Sequence, residues 1–539
     1  MAGIAASISW LGSQLSCCHN NLPALALSLL LLALLLDYVK RRKRSSRWPP
    51  GPTPLPFIGN LLLLDVKNPH KSVQDLEKKF GPVISLQFGW RNMVILSGFK
   101  TIKEALGQNP ENFVDRPEVP LFSLLNRGKN CGGIGFATCD NGWREQRRFI
   151  VSTLKNFGMG KKTLEKRVSE EAGYLCSEFK SKEGSPFDPQ ILIYRAVSNI
   201  FCTLAFGDRF EYSDNTFLKL MHVTEEFMKE TIRNLPQLIA AGSWLSYFPG
   251  PHRKLQKRYG DISIILKEIV SEHKKTRDPT FPRDLIDAFL EEIDKAKGKP
   301  DSSFNEQNLI NILVDLFMAG TETSSSTVLW GLLNMVNHPE VQKRVQEEID
   351  EEIGRVRSPV MEDQLKLPYT CAVIHEIQRC ADVLPVATPY MVHRDTEVGK
   401  FVIPKETAVF NHLSSVLKDE TMWEKPHEFY PEHFLDANGQ FVKQEAFLPF
   451  SLGRHACPGE PLSKMELFLF FTSLLQHFTF CFPGNFPRPK IERQEPFLKM
   501  PSILCDGQAV AQQWSSCLTC EISRVQSPMA SQRRQGYTK

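Results

Sequence analysis

The chain has 539 residues, of which 42% are apolar and 23% charged, with a net charge of +4. Those proportions exclude a disordered chain, and so small a net charge argues against a nucleic-acid binder. The length allows several ordinary domains or one unusually large one. Thirteen cysteines are scattered through the chain, which excludes a small secreted disulfide scaffold and reads as reduced, mostly buried thiols facing the cytosol. The lone Cys517-x-x-Cys520 pair has no second pair beside it and does not make a zinc site. The excess of Phe (36) over Tyr (10) points to a large apolar interior or pocket.

Residues 22–39 are leucine-rich and end on Lys40-Arg-Arg-Lys-Arg44, with no Lys or Arg before them. This length just suffices to span a bilayer. The charge order predicts a retained signal-anchor, with residues 1–21 lumenal and everything after residue 40 cytosolic. A cleaved signal peptide would carry its basic residues first. Residues 40–60 form a basic, proline-dense linker, which reads as stiff and extended.

Apolar residues at three- and four-residue spacing predict helices over 72–80, 99–106, 142–153, 161–179, 194–205, 215–231 and 254–275. Short β-like runs fall at 83–88, 92–96, 397–403 and 408–410. The expected fold is mainly α with a small β portion. Residues 238–250, with Trp244, Tyr247 and Phe248, read either as core or as a loop dipping into a membrane.

A helix of unusual length is predicted over 305–338, stopped by Pro339. Within it Asp315, Ala319, Glu322 and Thr323 are spaced to share one face. The Ala319-Gly320 pair leaves room for something bulky against the backbone. The neighbouring hydroxyls and acid could carry protons. A long buried helix with a flexible spot would read the same.

The loop Phe450-Ser-Leu-Gly-Arg-His-Ala-Cys457-Pro-Gly459 precedes an apolar helix expected over 461–480. Cys457 would sit at that helix's N-terminus, where the dipole and free N–H groups favour a thiolate. Such a sulfur suits an iron, and His455 could contact a haem propionate. Glu376 and Arg379 sit one helical turn apart, and Pro431-Glu-His433-Phe lies between them and the cysteine loop. Trp143 and Arg147 offer an indole N–H and a guanidinium to an anion.

In this order the motifs resemble those of cytochrome P450, over about residues 45–485. The similarity reaches vertebrate microsomal family 2, nearest to its D and J subfamilies. It is carried by Trp143-Arg-Glu-Gln-Arg-Arg-Phe149, Phe206-Gly-Asp-Arg-Phe-Glu-Tyr212, Pro282-Arg-Asp-Leu-Ile-Asp-Ala288 and Glu466-Leu-Phe-Leu-Phe-Phe-Thr472. It implies a single large haem domain over 61–487 and a haem b (iron protoporphyrin IX) cofactor with Cys457 as thiolate ligand. Trp143, Arg147 and His455 would meet the propionates, with Phe450, Gly459 and Ala319 also against the cofactor. Thr323 and Glu322 would deliver protons for oxygen activation. Glu376, Arg379 and His433 would form a buried structural network. The implied pocket includes Ile134, Phe136, Asp315, Phe317, Val386 and Ala387. Asp315 is open to two readings, an anchor for basic amines or a structural residue of its helix.

The implied reaction is monooxygenation of lipophilic substrates such as fatty acids, steroids or foreign compounds. Electrons would come from NADPH through cytochrome P450 reductase, docked on a basic face to which Arg144, Arg148 and Lys155 contribute. Cytochrome b5 is a further candidate partner, and the address is the endoplasmic reticulum membrane.

Four features depart from the family pattern. His455 stands where Arg is usual, Tyr390 where His or Arg is common, and Glu406 where a turn glycine is expected. Residues 488–539 look unrelated to the usual C-terminal β-hairpin, and a largely disordered tail is expected after about residue 507. Loss of that hairpin raises an alternative, a haem-binding chain without turnover.

Overall fold

The computed structural model describes residues 27–36, 46–65, 69–89, 91–118, 125, 127, 132–158, 162–240, 250–299, 301–481, 490–493, 501–505, 508–509 and 519–522. Residues 27–36 of the expected anchor are helical, and their leucines are exposed. Among the described residues no helix is long and apolar enough to cross a membrane. The rest of the expected span, and residues 241–249 of the aromatic loop, lie outside the described residues.

The proline-rich segment does not float free. Ser85 donates its N–H to Pro50 O (2.7 Å) and its hydroxyl to Pro49 O (2.8 Å). Val402 N–H reaches Arg47 O (2.8 Å). The linker's unpaired carbonyls thus find donors on the sheet behind it.

Helix α1 (Pro69–Phe80) leads into strands β1 (Val83–Phe88) and β2 (Arg91–Ser97). A layer of helices follows: α2 (Asn141–Asn156), α3 (Lys162–Lys180), α4 (Gln190–Phe206), α5 (Asn215–Ala240), α6 (Pro251–Thr276) and α7 (Leu285–Lys295). Then come the long α8 (Glu306–Asn337), α9 (Pro339–Glu352) and α10 (Pro368–Ala381). The β portion resumes with β3 (Tyr390–Met391), β4 (Thr396–Val398), β5 (Phe401–Ile403) and β6 (Ala408–His412). Helix α11 (Glu460–His477) and strand β7 (Phe478–Cys481) close the main body. The larger sheet runs β1-β2-β6-β3, antiparallel except where β2 meets β6.

Helix α8 is the axis of the core. Asn305 caps it by accepting the Asn308 N–H, and it packs on α4, α10 and α11. Its C-terminal half is buried on all sides from Ser324 to Val336. A helix apolar all round is one enclosed by other helices.

Three sequence expectations change here. The 397–403 run is a hairpin, not one strand, because Gly399 (φ 56°) turns β4 back into β5. The last helix stops at His477, and Phe478 and Phe480 then alternate inward with half-buried Thr479 and Cys481, the period of a strand. Helices α7 and α9 were not expected; Asp284 caps the first by accepting the Asp287 N–H, and Pro339 opens the second. Glu406 does hold the positive φ (65°) that the missing turn glycine implied.

The described parts of the C-terminal tail are strands. β8 (Lys490–Arg493) and β9 (Pro501–Cys505) form an antiparallel pair, β10 (Gln508–Ala509) adds to β9, and β11 (Thr519–Ile522) pairs with β7. The remaining tail residues, on which the expectation of disorder also fell, lie outside the described residues.

Candidate active site

The cysteine loop is folded by its own backbone. Cys457 N–H bonds Phe450 O (3.0 Å) and Ala456 N–H bonds Gly453 O (3.2 Å). Gly453 sits at φ 82°, and a Cβ there would also lie 3.0 Å from Leu106 O, so only glycine fits. Gly459 then starts α11, and the N–H groups of Gly459 and Glu460 hydrogen-bond the Cys457 sulfur.

The sequence argument favoured a thiolate on the strength of those N–H groups alone. In the structure burial pushes the Cys457 thiol up, and the Gly459 N–H and the Arg147 charge only partly pull it back. Cys457 is nonetheless exposed while His455 beside it is buried, so the sulfur faces open space.

The long helix supplies the other wall. Ala319 is exposed and Gly320 and Thr323 are half-buried, and the helix is buried on all sides from Ser324 to Val336. A Cβ on Gly320 would meet nothing within 4 Å. Thr323 hydroxyl donates to Ala319 O (2.7 Å). Ser324 reaches Ser463 of α11 (3.4 Å), which ties the Thr323 stretch of α8 to the Cys457 end of α11.

Glu322 does not share that open face. It is buried and accepts from the Tyr194 hydroxyl of α4. The Tyr194 bond draws the acid into the α4–α8 interface, away from the side on which Ala319 is exposed.

The residues expected at the propionates make the following contacts within the protein. Trp143 spends its indole N–H on Ile134 O (3.0 Å) and lays its ring against His455, with centroids 4.4 Å apart. His455 Nε2 lies 2.6 Å from Val114 O, so the proton must be on that nitrogen. Burial, with Arg116 and Arg147 nearby, pushes His455 down to about 3. It is neutral here, a packing group rather than a cation. Arg147 bonds Ala456 O (2.5 Å) and lies over the Trp143 ring. Tyr390 is buried under the Arg116 guanidinium, 4.7 Å from its ring centroid.

Arg116 is the residue the sequence reading missed. Its guanidinium is buried and donates to Thr388 O (2.9 Å) and Pro389 O (2.8 Å), while Nε has no partner. Burial lowers it to about 10, with Tyr390 opposing and Arg147 adding to the drop. Burial likewise lowers Arg147. Among the described residues no carboxylate forms an ion pair with either. A buried cation, Arg116, beside a half-buried one, Arg147, without an ion-paired carboxylate is costly unless an anion joins them. This is what a dicarboxylate such as haem would relieve, and the donor set fits it.

The remaining candidates divide. Ile134 and Phe136 lie on the loop before α2, the first buried and the second exposed. Asp315 accepts the Ile134 and Gly135 N–H groups at 2.8 and 3.0 Å, the structural reading of this residue. Phe317 is not a pocket residue: it is 2% exposed and packs edge-on to Phe201 in the core. Ala387 is buried and bonds Asn411 O, and Val386 packs beside the sheet. Glu376, Arg379 and His433 do meet. Arg379 is fully buried and bonds Glu376 twice (2.8 and 2.7 Å), and His433 Nδ1 lies 3.2 Å from Glu376.

A sulfur at a helix end, facing an opened helix and flanked by cations awaiting carboxylates, has the layout of a haem-thiolate enzyme. The cytochrome P450 family model matches residues 49–504, and the chain belongs to that family. It is a P450 monooxygenase, and family membership implies haem held by a cysteine thiolate. The chain is 50% identical over 485 residues to cytochrome P450 2D14 of Bos taurus, covering 90% of this chain and 97% of the relative. It is 50% identical over 483 residues to cytochrome P450 2D6 of Homo sapiens (89% and 97% covered). It is 48% identical over 483 residues to vitamin D(3) 25-hydroxylase of Sus scrofa (89% and 97%). It thus resembles subfamily D of family 2. The family match continues to residue 504, which corrects the expectation that kinship ends near residue 485.

Proposed function

We propose that this chain is a membrane-bound haem-thiolate monooxygenase for lipophilic small molecules, with electrons from NADPH delivered by cytochrome P450 reductase. The observation that carries the reading is the pairing of an exposed cysteine, Cys457, with one buried guanidinium, Arg116, and one half-buried guanidinium, Arg147, neither of which is ion-paired to a carboxylate among the described residues. Haem, when bound, supplies the activation of dioxygen and the transfer of one oxygen atom to substrate. Cys457 would be its thiolate ligand, with the Gly459 and Glu460 N–H groups tuning the sulfur. Arg116 and Arg147 would hold its carboxylates, beside the Trp143–His455 stack.

Thr323 is the proton-handling group. Its hydroxyl, parked on Ala319 O, can rotate to donate into the open space. Glu322, held by Tyr194, acts only through rearrangement or water. Glu376, Arg379 and His433 hold the chain around the site together.

The membrane address is supported by the exposed leucines at 27–36, by the basic block after them, and by exposed Leu55, Phe57, Ile58, Leu62 and Leu63 at the end of the linker and just beyond it. These imply an anchor over 22–39 in the endoplasmic reticulum, with the haem domain cytosolic. Cytochrome b5 is a second candidate donor. The name of the porcine relative adds a sterol-like substrate to those worth trying.

The test is to reduce the expressed protein under carbon monoxide and look for the red-shifted Soret band of thiolate-ligated haem, then assay product with reductase and NADPH. Cys457→Ala should abolish the band. A band that persists in that variant refutes the ligand assignment. Absence of product from a lipid and drug panel, despite a full band, would favour a chain that binds haem without turnover.

A further inference from the structure

Between Asp315 and Thr323 the residues of α8 that are not buried are Asp315, Leu316, Met318, Ala319, Gly320 and Thr323, and Asp315 alone of these is ionisable. A lone carboxylate there would be a ready counter-ion for a basic substrate. It is not alone. Arg127 Nη1 lies 2.6 Å from Asp315 Oδ1, with the two side chains only 4% and 9% exposed. The other oxygen, Oδ2, accepts the Ile134 and Gly135 N–H groups. The Nη1 contact is an ion pair without hydrogen-bond geometry; Nη2 donates to Asn311 O (3.3 Å), and the guanidinium lies 5.3 Å over the Tyr259 ring.

The loop is shaped to allow this pair. A Cβ on Gly133 would lie 2.4 Å from Asp315 Oδ2 and 3.0 Å from Arg127 Nη1, and Gly133 has φ +75°. Both oxygens of the acid and its charge are therefore used inside the protein. A substrate ammonium would have to displace a guanidinium held in place by the fold, in exchange for its own hydration.

We propose that Arg127 is a specificity-determining residue: its pairing with Asp315 makes the α8 wall of the cavity electrically neutral, so the site takes uncharged lipophilic molecules and gives no counter-ion to a basic amine. This rests on the reading of that wall as part of the substrate cavity.

The test uses the full-length, haem-loaded protein and two probes of like shape, N,N-dimethyl-4-phenylbutan-1-amine and the neutral N,N-dimethyl-4-phenylbutanamide, with Kd from equilibrium dialysis. The decisive variant combines Arg127→Gln with Asp315→Asn, which removes both charges at nearly constant shape. Amine affinity should then change by less than about threefold, because an electrically silent pair has been removed. A loss of about threefold or more in amine binding, with amide binding unchanged, would overturn the proposal.

Arg127→Gln alone should tighten amine binding by about tenfold and leave the amide within about threefold. Unchanged or weaker amine binding there, with the amide unaffected, also counts against it. Should the single variant fail to fold, the double variant decides by itself. Preparations that give the expected ratios but no shifted Soret band would sink the haem assignment and leave the charge argument standing.

Discussion

Replacing Arg379 by Met should cost this protein about 5 kcal/mol. The side chain is fully buried, and it bonds both oxygens of Glu376 and the carbonyls of Leu417 (2.9 Å), Pro426 (2.7 Å) and Glu428 (2.7 Å). Its loss strands the Glu376 carboxylate in the core, which costs about 3–5 kcal/mol. Each of three carbonyls loses a charged donor, at about 1 kcal/mol apiece. Burial of the methionine offsets about 1–2 kcal/mol.

A domain holds only about 5–15 kcal/mol in reserve, so the variant should sit near the edge of unfolding. Urea denaturation followed by far-UV circular dichroism measures this. Adding Glu376→Gln to Arg379→Met removes the stranded charge and should restore part of the stability. A loss under about 2 kcal/mol in the single variant, or a double variant no better than the single, refutes the argument.

Glu466 on α11 is buried, and burial raises its carboxyl to about 8, against a hydrogen bond with Ser324 that lowers it. The folded chain therefore keeps a proton that the unfolded chain releases near the ordinary carboxylate range. Stability should fall as pH rises from about 5 and level off above about 8, at no more than about 1.4 kcal/mol per unit. Glu466→Gln should remove this component, as urea midpoints across that range would reveal. Arg116→Met should weaken haem retention by about tenfold without unfolding the chain, since it deletes a cation that lacks an ion-pair partner; the check is the rate of haem transfer to apomyoglobin, and an unchanged rate rules out a carboxylate contact. Glu406→Gly should stabilise by about 1 kcal/mol by relieving φ 65° at an exposed turn, measured as a rise in thermal midpoint.

His273 and Asp284 form a fourth case. The ring nitrogen Nε2 lies 2.9 Å from the carboxylate that caps α7. Burial lowers the imidazole, but the Asp284 hydrogen bond and charge outweigh it, and the net shift is upward. The pair's contribution is thus complete below the unfolded value of about 6.5 and is lost as pH rises through the folded one. His273→Ala should be equally stable with and without that rise; a variant that keeps the full pH slope contradicts this.

Legibility followed the range of the interactions. The cysteine loop could be read because its geometry is local: two glycines, a proline and a following apolar helix fix it within ten positions. The length of α8 was legible for the same reason, through its cap and its proline stop. What the sequence could not show depends on partners far along the chain. Arg116 looked like any loop arginine, and only packing against Thr388, Pro389 and Tyr390 makes it a buried cation. Trp143 has the right group for a propionate, but its indole N–H bonds Ile134 O. Glu322 has the right spacing, but Tyr194 on another helix decides its direction. Phe317 fails as a pocket residue because α8 turns it toward Phe201.

The charges around the cavity separate into two kinds, and that separation accounts for how one site could hold two very different molecules. At the Cys457 side, burial lowers both Arg116 and Arg147, and among the described residues neither has an ion-pair partner, an arrangement that suits an anionic group. At the Asp315 end the opposite holds: acid and base are both present, largely enclosed and ion-paired to each other. An anionic cofactor gains at the first end what a charged substrate cannot gain at the second. Exchanging the two arrangements, by giving Arg116 a partner acid or by taking Arg127 from Asp315, should therefore weaken cofactor binding in the one case and admit amines in the other. These effects should be separable, because the first alters haem retention at constant probe affinity and the second alters probe affinity at constant haem retention.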